Sequence, residues 1–196
     1  MQLVVEPAEA RHAEALNGLF ERTGTSCYCQ YWHFEGDKNA WLDRLFHAPE
    51  LNRAAFVADF AQPGLRGIVA LGVSGEALGW LKLTAAERVP KLYAQRLYKG
   101  LPIFDGNRDG VLTVGCLLVD EAVRRRGVAR ALVRGAVELA QSCGARSIEA
   151  FPRRAPDGHA SPAELWTGPP AVFLEAGFRI VNDFGPYPVL RYDVVT

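Results

Sequence analysis

Residues 111–132 read VLTVGCLLVDEAVRRRGVARAL and combine an apolar run, a basic turn and the beginning of a helix. The run Val111–Val119 is apolar almost throughout and rich in β-branched residues, which is typical of a strand covered on both faces. After the arginines, Val128 and Leu132 recur at helical spacing, and Gly144 follows where a helix-ending glycine is expected. We therefore predict a buried strand that leads through a basic turn into an amphipathic helix.

A second strand follows this helix. Ser147 to Phe151 is short and apolar, and Pro152 ends it because proline cannot donate to a strand ladder. A strand, a helix and a strand in succession form a right-handed crossover unit. The two strands are therefore predicted to be parallel.

Regular elements are also predicted on both sides of this unit. Before it, the pattern predicts a strand at 2–6, a helix from Pro7, a helix capped by Asn39, a helix at 51–60, strands at 67–73 and 77–84, and a helix at 90–101. After it, the pattern predicts a proline-rich loop at 152–170, a helix at 171–176 and closing strands at 178–183 and 189–194. No change of composition divides residues 1–196, so we expect a single domain.

The composition excludes several classes of protein. Lys plus Arg and Asp plus Glu are equal at 22 each, so no net charge indicates a nucleic-acid or membrane partner. The sequence has no apolar run of transmembrane length and no leader-like segment. Its four cysteines are too few for a disulfide framework, and we expect a cytoplasmic protein.

The basic turn has the chemistry of a phosphate site. The first backbone N–H groups of a helix have no intrahelical acceptor, and the helix dipole adds partial positive charge there. Gly127 would allow a ligand to approach the backbone closely, and the neighbouring arginines Arg124 to Arg126 would add charge-assisted hydrogen bonds. The alternative is a solvated basic turn without a ligand.

Two motifs resemble those of one enzyme superfamily. Arg124-x-x-Gly127-x-Ala129 resembles the Gln/Arg-x-x-Gly-x-Gly/Ala signature of the GCN5-related N-acetyltransferases (GNAT), in its place after a long apolar strand. The stretch FLEAGF at 173–178 resembles the late helix-to-strand turn of that superfamily. The resemblance implies an α/β fold of α+β type, with a central, mixed, twisted sheet of about seven strands. It also implies that the sheet is splayed between strands 4 and 5 and has helices on both faces.

The resemblance implies acetyl-CoA as a co-substrate, with no metal expected. The pantetheine arm would pair with the backbone near Leu117, Leu118 and Val119, and the pyrophosphate would lie on the N–H groups of residues 125–130. The cofactor-binding residues expected from the resemblance are Leu117, Leu118, Val119, Arg124, Arg125, Arg126, Gly127, Val128, Ala129, Arg130 and Phe173. The expected partner is a small-molecule amine acceptor, and the chain is expected to be a monomer or a homodimer.

In this superfamily a free amine attacks the thioester directly. Glu149, a carboxylate inside an apolar strand, is the candidate general base, and the N–H of Leu117 is the candidate oxyanion donor. The alternative for Glu149 is a solvent-facing position on a half-exposed strand. Many members place a tyrosine general acid where this chain has Phe173, which cannot donate a proton.

Other interpretations remain open. The missing tyrosine favours a non-catalytic module that binds or senses acyl-CoA. Cys116 is either a covalent nucleophile or a small core residue, and Cys27, Cys29 and His33 are either zinc ligands or packing residues. His159 on the long loop either enters the site or is solvated. The aromatic residues between Tyr28 and Trp41 form either an acceptor pocket or a plain aromatic core.

Overall fold

The computed structural model describes residues 2–62, 64–155 and 165–195. In these ranges the strands are β1 (Val4–Pro7), β2 (Gly67–Leu71), β3 (Ala77–Ala85), β4 (Val111–Val119), β5 (Ser147–Ala150), β6 (Arg179–Asn182) and β7 (Val189–Asp193). The α-helices are α1 (Ala13–Arg22), α2 (Lys38–His47), α3 (Pro49–Ala61), α4 (Pro90–Tyr93), α5 (Val128–Ser142) and α6 (Pro170–Leu174).

The strands form one mixed sheet in the order β1-β2-β3-β4-β5-β7-β6. Strands β4 and β5 are parallel, and the other five neighbouring pairs are antiparallel. The α/β fold with a seven-stranded mixed sheet is therefore confirmed, and so is the parallel pair around the crossover helix α5.

Strands β4 and β5 separate soon after they begin. They pair only from Val111 to Thr113, opposite Ser147 to Glu149, whereas β4 continues to Val119. Strand β4 is also irregular, because its register with β3 shifts between Lys82 and Leu83. The expected splay between strands 4 and 5 is confirmed. It leaves an open wedge in the sheet, next to the carboxyl-terminal part of β4 that no longer pairs with β5.

The two faces of the sheet are covered by different helices. Side chains alternate along β3, so Leu81 and Leu83 join a core with Val128 and Leu132 of α5. Trp80 faces the other way, into a second core that contains residues of α1 and α3. Helices therefore lie on both faces, as expected.

Three local predictions were wrong. Pro7 does not start a helix but ends β1, where an edge strand tolerates a missing N–H, and α1 begins at Ala13. The cap of α2 is Asp37, whose carboxylate accepts the N–H of Ala40 at 2.8 Å, and not Asn39. The helix expected at 90–101 ends at Tyr93, and turns follow it.

None of the described helices has the length and apolar character needed to cross a membrane.

The close packing of α5 on β3 depends on Gly79. A Cβ at this position would lie 2.7 Å from Cγ1 of Val128 and 2.9 Å from Cδ1 of Leu132. We expect Gly79→Ala to lower the free energy of unfolding by about 1–3 kcal/mol, measured by urea denaturation, because the core must be overpacked.

Gly115→Ala on β4 is the matched control. A Cβ there would meet its nearest neighbour, Cδ1 of Trp32, at an ordinary 3.7 Å. Its effect should stay within about 0.5 kcal/mol. Equal losses in both variants would contradict the packing argument for Gly79.

Candidate active site

The turn between β4 and α5 is shaped by two residues in the left-handed region. Arg125 has φ 59° and Gly127, which precedes α5, has φ 87°. A Cβ built on Gly127 meets no protein atom within 4 Å, so the backbone there borders open space. The turn is therefore accessible to a ligand at the amino end of a fifteen-residue helix.

The backbone of this turn presents a row of hydrogen-bond donors. In the part of the chain that the structure describes, the N–H groups of residues 125–130 have no protein acceptor, and the first helical bond is from Ala131 to Gly127. Arg124 is held by Glu121 at 2.8 Å, and Arg130 is held by Glu175. Arg125 and Arg126 are exposed and have no ion-pair partner among the described residues. This arrangement favours an anion with several acceptor oxygens.

A short segment of the late loop bridges the open wedge of the sheet. The carbonyl of Trp166 accepts the N–H of Leu117 at 2.8 Å, and the carbonyl of Gly168 accepts the N–H of Arg153 at 3.2 Å. The segment 166–168 therefore touches β4 on one side and the chain after β5 on the other. Leu118 and Val119, beyond this bridge, are half-buried.

Phe173 lies directly beneath the bridge. Its ring is fully buried and contacts Phe178 in an edge-on arrangement. A Cβ on Gly168 would lie 3.1 Å from Cε2 of Phe173 and 3.4 Å from Cδ1 of Leu117. The structure thus brings Leu117 and Phe173 together at the wedge, in apolar surroundings.

The side chain of Glu149 is buried and does not face the solvent. Its side chain is only 1% exposed, and Arg108 donates to both carboxylate oxygens at 3.1 and 2.6 Å. The hydroxyl of Tyr93 donates to Oε2 at 2.7 Å. The alternative that Glu149 points to solvent is therefore wrong.

Glu149 and Leu117 are also separated along the sheet. Glu149 is level with Thr113, and Leu117 lies four residues further along β4, which corresponds to roughly 13 Å of extended chain. Burial, reinforced by the charge of Glu149, raises the pKa of Tyr93 well above its ordinary value. Tyr93 is therefore a neutral donor to Glu149, and the structure does not join this cluster to Leu117.

The aromatic residues of the N-terminal loop divide between the two expected roles. Tyr28 is buried and packs on Phe20 at 4.7 Å between ring centroids, so it belongs to the core. Trp32 instead lies at the irregular part of β4, where its indole N–H donates to the carbonyl of Gly115 at 3.2 Å. Its ring is also 5.6 Å from that of Trp166. Trp32 thus links the N-terminal loop to the wedge.

A cavity of about 330 Å³ opens between α3 and β3, the strand that pairs with this part of β4. Among its lining residues, Lys82 is buried and pairs with Asp59 at 3.1 Å. Burial and the neighbouring Lys82 lower the pKa of His33 to about 4, so this imidazole is neutral at pH 7. Sequence reasoning missed this cavity, although a lysine inside the apolar strand β3 was a signal for it.

The cysteines and the remaining sequence candidates form no metal-binding cluster among the described residues. Cys27, Cys29, Cys116 and Cys143 are free thiols, and Cys116 is buried in the core on the α1 side. Burial is the main factor that raises the pKa of Cys29. Among the described residues, no group of three or more His, Cys, Asp or Glu side chains is arranged to hold a metal ion. His159 lies outside the described residues.

Residues 27–161, well over half of the chain, match the family model of the GNAT acetyltransferases. The chain belongs to the GNAT family. Both sequence motifs and the splayed sheet agree with this membership. A search among curated proteins gives no match.

Solved structures share this fold at low sequence identity. The PaiA N-acetyltransferase from Thermoplasma acidophilum, solved with coenzyme A, has a TM-score of 0.57 at 9% identity over 98% of this chain and 99% of that one. A GCN5-related N-acetyltransferase from Kribbella flavida has a TM-score of 0.55 at 19% identity over 98% of both chains. AAC(6')-Ib in complex with paromomycin and acetyl-CoA has a TM-score of 0.57 at 16% identity, over 98% and 94%. At these identities the likeness shows the GNAT fold alone.

The ion pair of Arg108 and Glu149 yields a prediction on stability. Arg108→Met removes the close cationic partner of a buried carboxylate and leaves only Arg191, at 3.9 Å, so it should lower the free energy of unfolding by about 3 kcal/mol. Adding Glu149→Gln should recover a large part of that loss, because the poorly compensated charge is removed. Urea denaturation of the two single variants and the double variant measures the coupling.

Arg154→Met serves as the control, because it breaks an exposed pair with Asp183. Its cost should not exceed about 1 kcal/mol. Strictly additive losses for Arg108 and Glu149 would contradict a buried, coupled pair.

Proposed function

We propose that this chain is an acetyl-CoA-dependent N-acetyltransferase that transfers an acetyl group to the primary amine of a small molecule. The observation that carries the proposal is the row of N–H groups at 125–130, which have no acceptor among the described residues and lie at the end of the strand that borders the open wedge. A wedge in the sheet and a phosphate-binding turn at its edge are what a long, phosphate-bearing thioester requires. We take residues 1–196 as one domain.

Each cofactor residue has a distinct role in this proposal. The N–H groups of residues 125–130, including those of Val128 and Ala129, would bind the pyrophosphate. Arg125 and Arg126 would add charge, whereas Arg124 and Arg130 hold the turn through their glutamate partners. The backbone of Leu117 to Val119 would bind the pantetheine arm.

Reaction requires the bridge to leave the wedge. The N–H of Leu117 is the proposed oxyanion donor, and it is bonded to the carbonyl of Trp166 in this structure. Binding of the thioester would exchange one acceptor for another on the same N–H. No buried donor then loses its partner, so the exchange costs little free energy in itself.

The transfer needs a deprotonated amine. The amine nitrogen attacks the thioester carbonyl carbon, the C–S bond breaks and coenzyme A leaves as the thiolate, while the amine loses its proton. We keep Glu149 as the proposed base, acting at a distance through water, and this role requires Arg108 to release one carboxylate oxygen. Phe173 has no proton to give, so the thiolate would take its proton from solvent or from the acceptor.

The second candidate function is a non-catalytic acyl-CoA-binding module. Two observations favour it: an apolar Phe173 at the expected position of the acid, and the occupied N–H of Leu117. Release of free thiol from acetyl-CoA in the presence of an amine panel separates the two functions. A cytoplasmic location, and a monomer or homodimer, complete the proposal.

Gly127→Leu should abolish acetyl-CoA binding, measured by calorimetry, because its side chain would fill the open space beside the N–H row. Gly144→Leu is the matched control at the other end of α5. Gly144 also has a positive φ, 67°, and equally open surroundings, so the backbone strain is similar and no ligand is displaced. Binding that survives in Gly127→Leu, or is lost equally in both variants, would refute the cofactor placement.

Acetyl-CoA should also change the intrinsic tryptophan fluorescence. Displacement of Trp166 separates its ring from that of Trp32, so the emission spectrum should shift as the ligand is titrated. In Trp166→Phe most of the shift should disappear while calorimetry still shows binding. Binding with no spectral change in the unaltered protein would mean that the bridge stays in place.

A further inference from the structure

The cavity between α3 and β3 has an unbalanced set of charges. Its lining contains three cations, Lys82, Arg66 and Arg88, against a single carboxylate, Asp59. Asp59 pairs with Lys82 at 3.1 Å and also accepts the side-chain amide of Gln30 at 3.1 Å. With His33 neutral, the cavity therefore has an excess of positive charge at pH 7.

The donors of this cavity differ in how far they are already satisfied. Arg66 donates to three backbone carbonyls, of Asp59, Phe60 and Gly64, and is therefore held in place. Arg88 is exposed and has no ion-pair partner in the described part of the chain. Trp80 is 1% exposed, and its indole N–H is buried without an acceptor among the described residues. That N–H has practically no accessible surface, so the exposed Arg88, rather than Trp80, is the donor open to a ligand in the cavity.

The cavity is not the phosphate site of the cofactor. It lies on the α1 and α3 face, whereas the N–H row belongs to α5 on the opposite face. Along the sheet it is level with Lys82 and Thr84, which pair with Cys116 and Thr113 of β4. The phosphate-binding turn instead follows Val119 at the far end of that strand. Its positive charge is therefore available to another ligand.

The cavity adjoins the place where transfer would occur. A Cβ on Gly115 would lie 3.8 Å from Cγ of Lys82, so the stem of Lys82 runs beside the irregular part of β4. The proposed oxyanion donor, Leu117, is two residues further along the strand. Lys82 thus links the cavity to the part of β4 that borders the wedge.

We infer that the cavity binds the acid group of the acceptor, and that the acceptor is a small primary amine that also has a carboxylate, of the amino-acid class. Arg88 supplies the free charge, and the ammonium of Lys82, which donates to Asp59, has further N–H groups to offer. Phe56 and Phe60 line the same cavity and would contact apolar parts of the molecule. A volume of about 330 Å³ suits a ligand of this size. That the bound acid is an acceptor rests on the proposed acetyl transfer, but binding of the acid to the cavity can be measured without that reaction.

The test uses matched pairs of amines that differ only in the acid group. L-leucine and L-phenylalanine are compared with their carboxamides, and 4-aminobutyrate with 4-aminobutanamide, by calorimetry and by thiol release from acetyl-CoA. In at least one pair the acid should bind and react about tenfold better than its amide, because the free energy of a charge-assisted hydrogen bond corresponds to about that factor in affinity. Arg88→Gln should remove most of that ratio, and Arg88→Lys should restore part of it.

Arg53→Gln is the control, since Arg53 is exposed on α3, outside the cavity lining, and should leave the ratio unaltered. No preference for the acid in any pair, or a preference that persists in Arg88→Gln, overturns the inference. If the protein binds acetyl-CoA but no acid, the proposed transferase stands and the inference falls. If acids bind in an Arg88-dependent manner but acetyl-CoA does not, the proposed function falls and the acid site stands.

Discussion

The parallel pairing of β4 with β5 extends over only three residues, and the rest of the site depends on where it stops. Up to Thr113 the two strands share a ladder, and beyond it β4 continues alone to Val119. Backbone groups on that side of β4 then need another partner, because a buried N–H without an acceptor is costly. Trp166 supplies one at Leu117 in this structure. Beyond the parallel ladder, β4 thus relies on the late loop for the hydrogen bond at Leu117.

Buried charges fix the two ends of the region around β4. Glu149 is neutralised by Arg108, and it also accepts the hydroxyl of Tyr93, at the closed end, where the strands still pair. Lys82 is neutralised by Asp59 on the α3 side, beside the irregular part of the strand. Each of these charges therefore has a partner that any other contact would have to displace or share. The exposed arginines Arg88, Arg125 and Arg126 have no ion-pair partner among the described residues, so they are the groups best suited to meet an anionic ligand.

The sequence predicted most of the fold because its signals are local. The apolar run of β4, the helical repeat of α5 and Gly144 each depend on neighbouring residues, and the bounds of β4 agree with the structure. Predictions failed where tertiary contacts override local preference. Pro7 stays in β1 because an edge strand has a side without a partner. The stretch after Tyr93 leaves the helical path, with Leu92 and Tyr98 both packed in the cluster of Phe151.

The features of the candidate site also fall into two groups, those that the sequence determined and those that only the structure showed. The sequence by itself determined the basic turn, the family motifs and the absence of a tyrosine at Phe173, because each is a matter of residue type at a fixed spacing. Only the tertiary structure decided that Arg108 pairs with Glu149, that Trp166 occupies the N–H of Leu117, and that Lys82 and Arg88 line one cavity. Such contacts join segments far apart in the chain, and no local pattern encodes which distant partner a charge or a backbone group will meet.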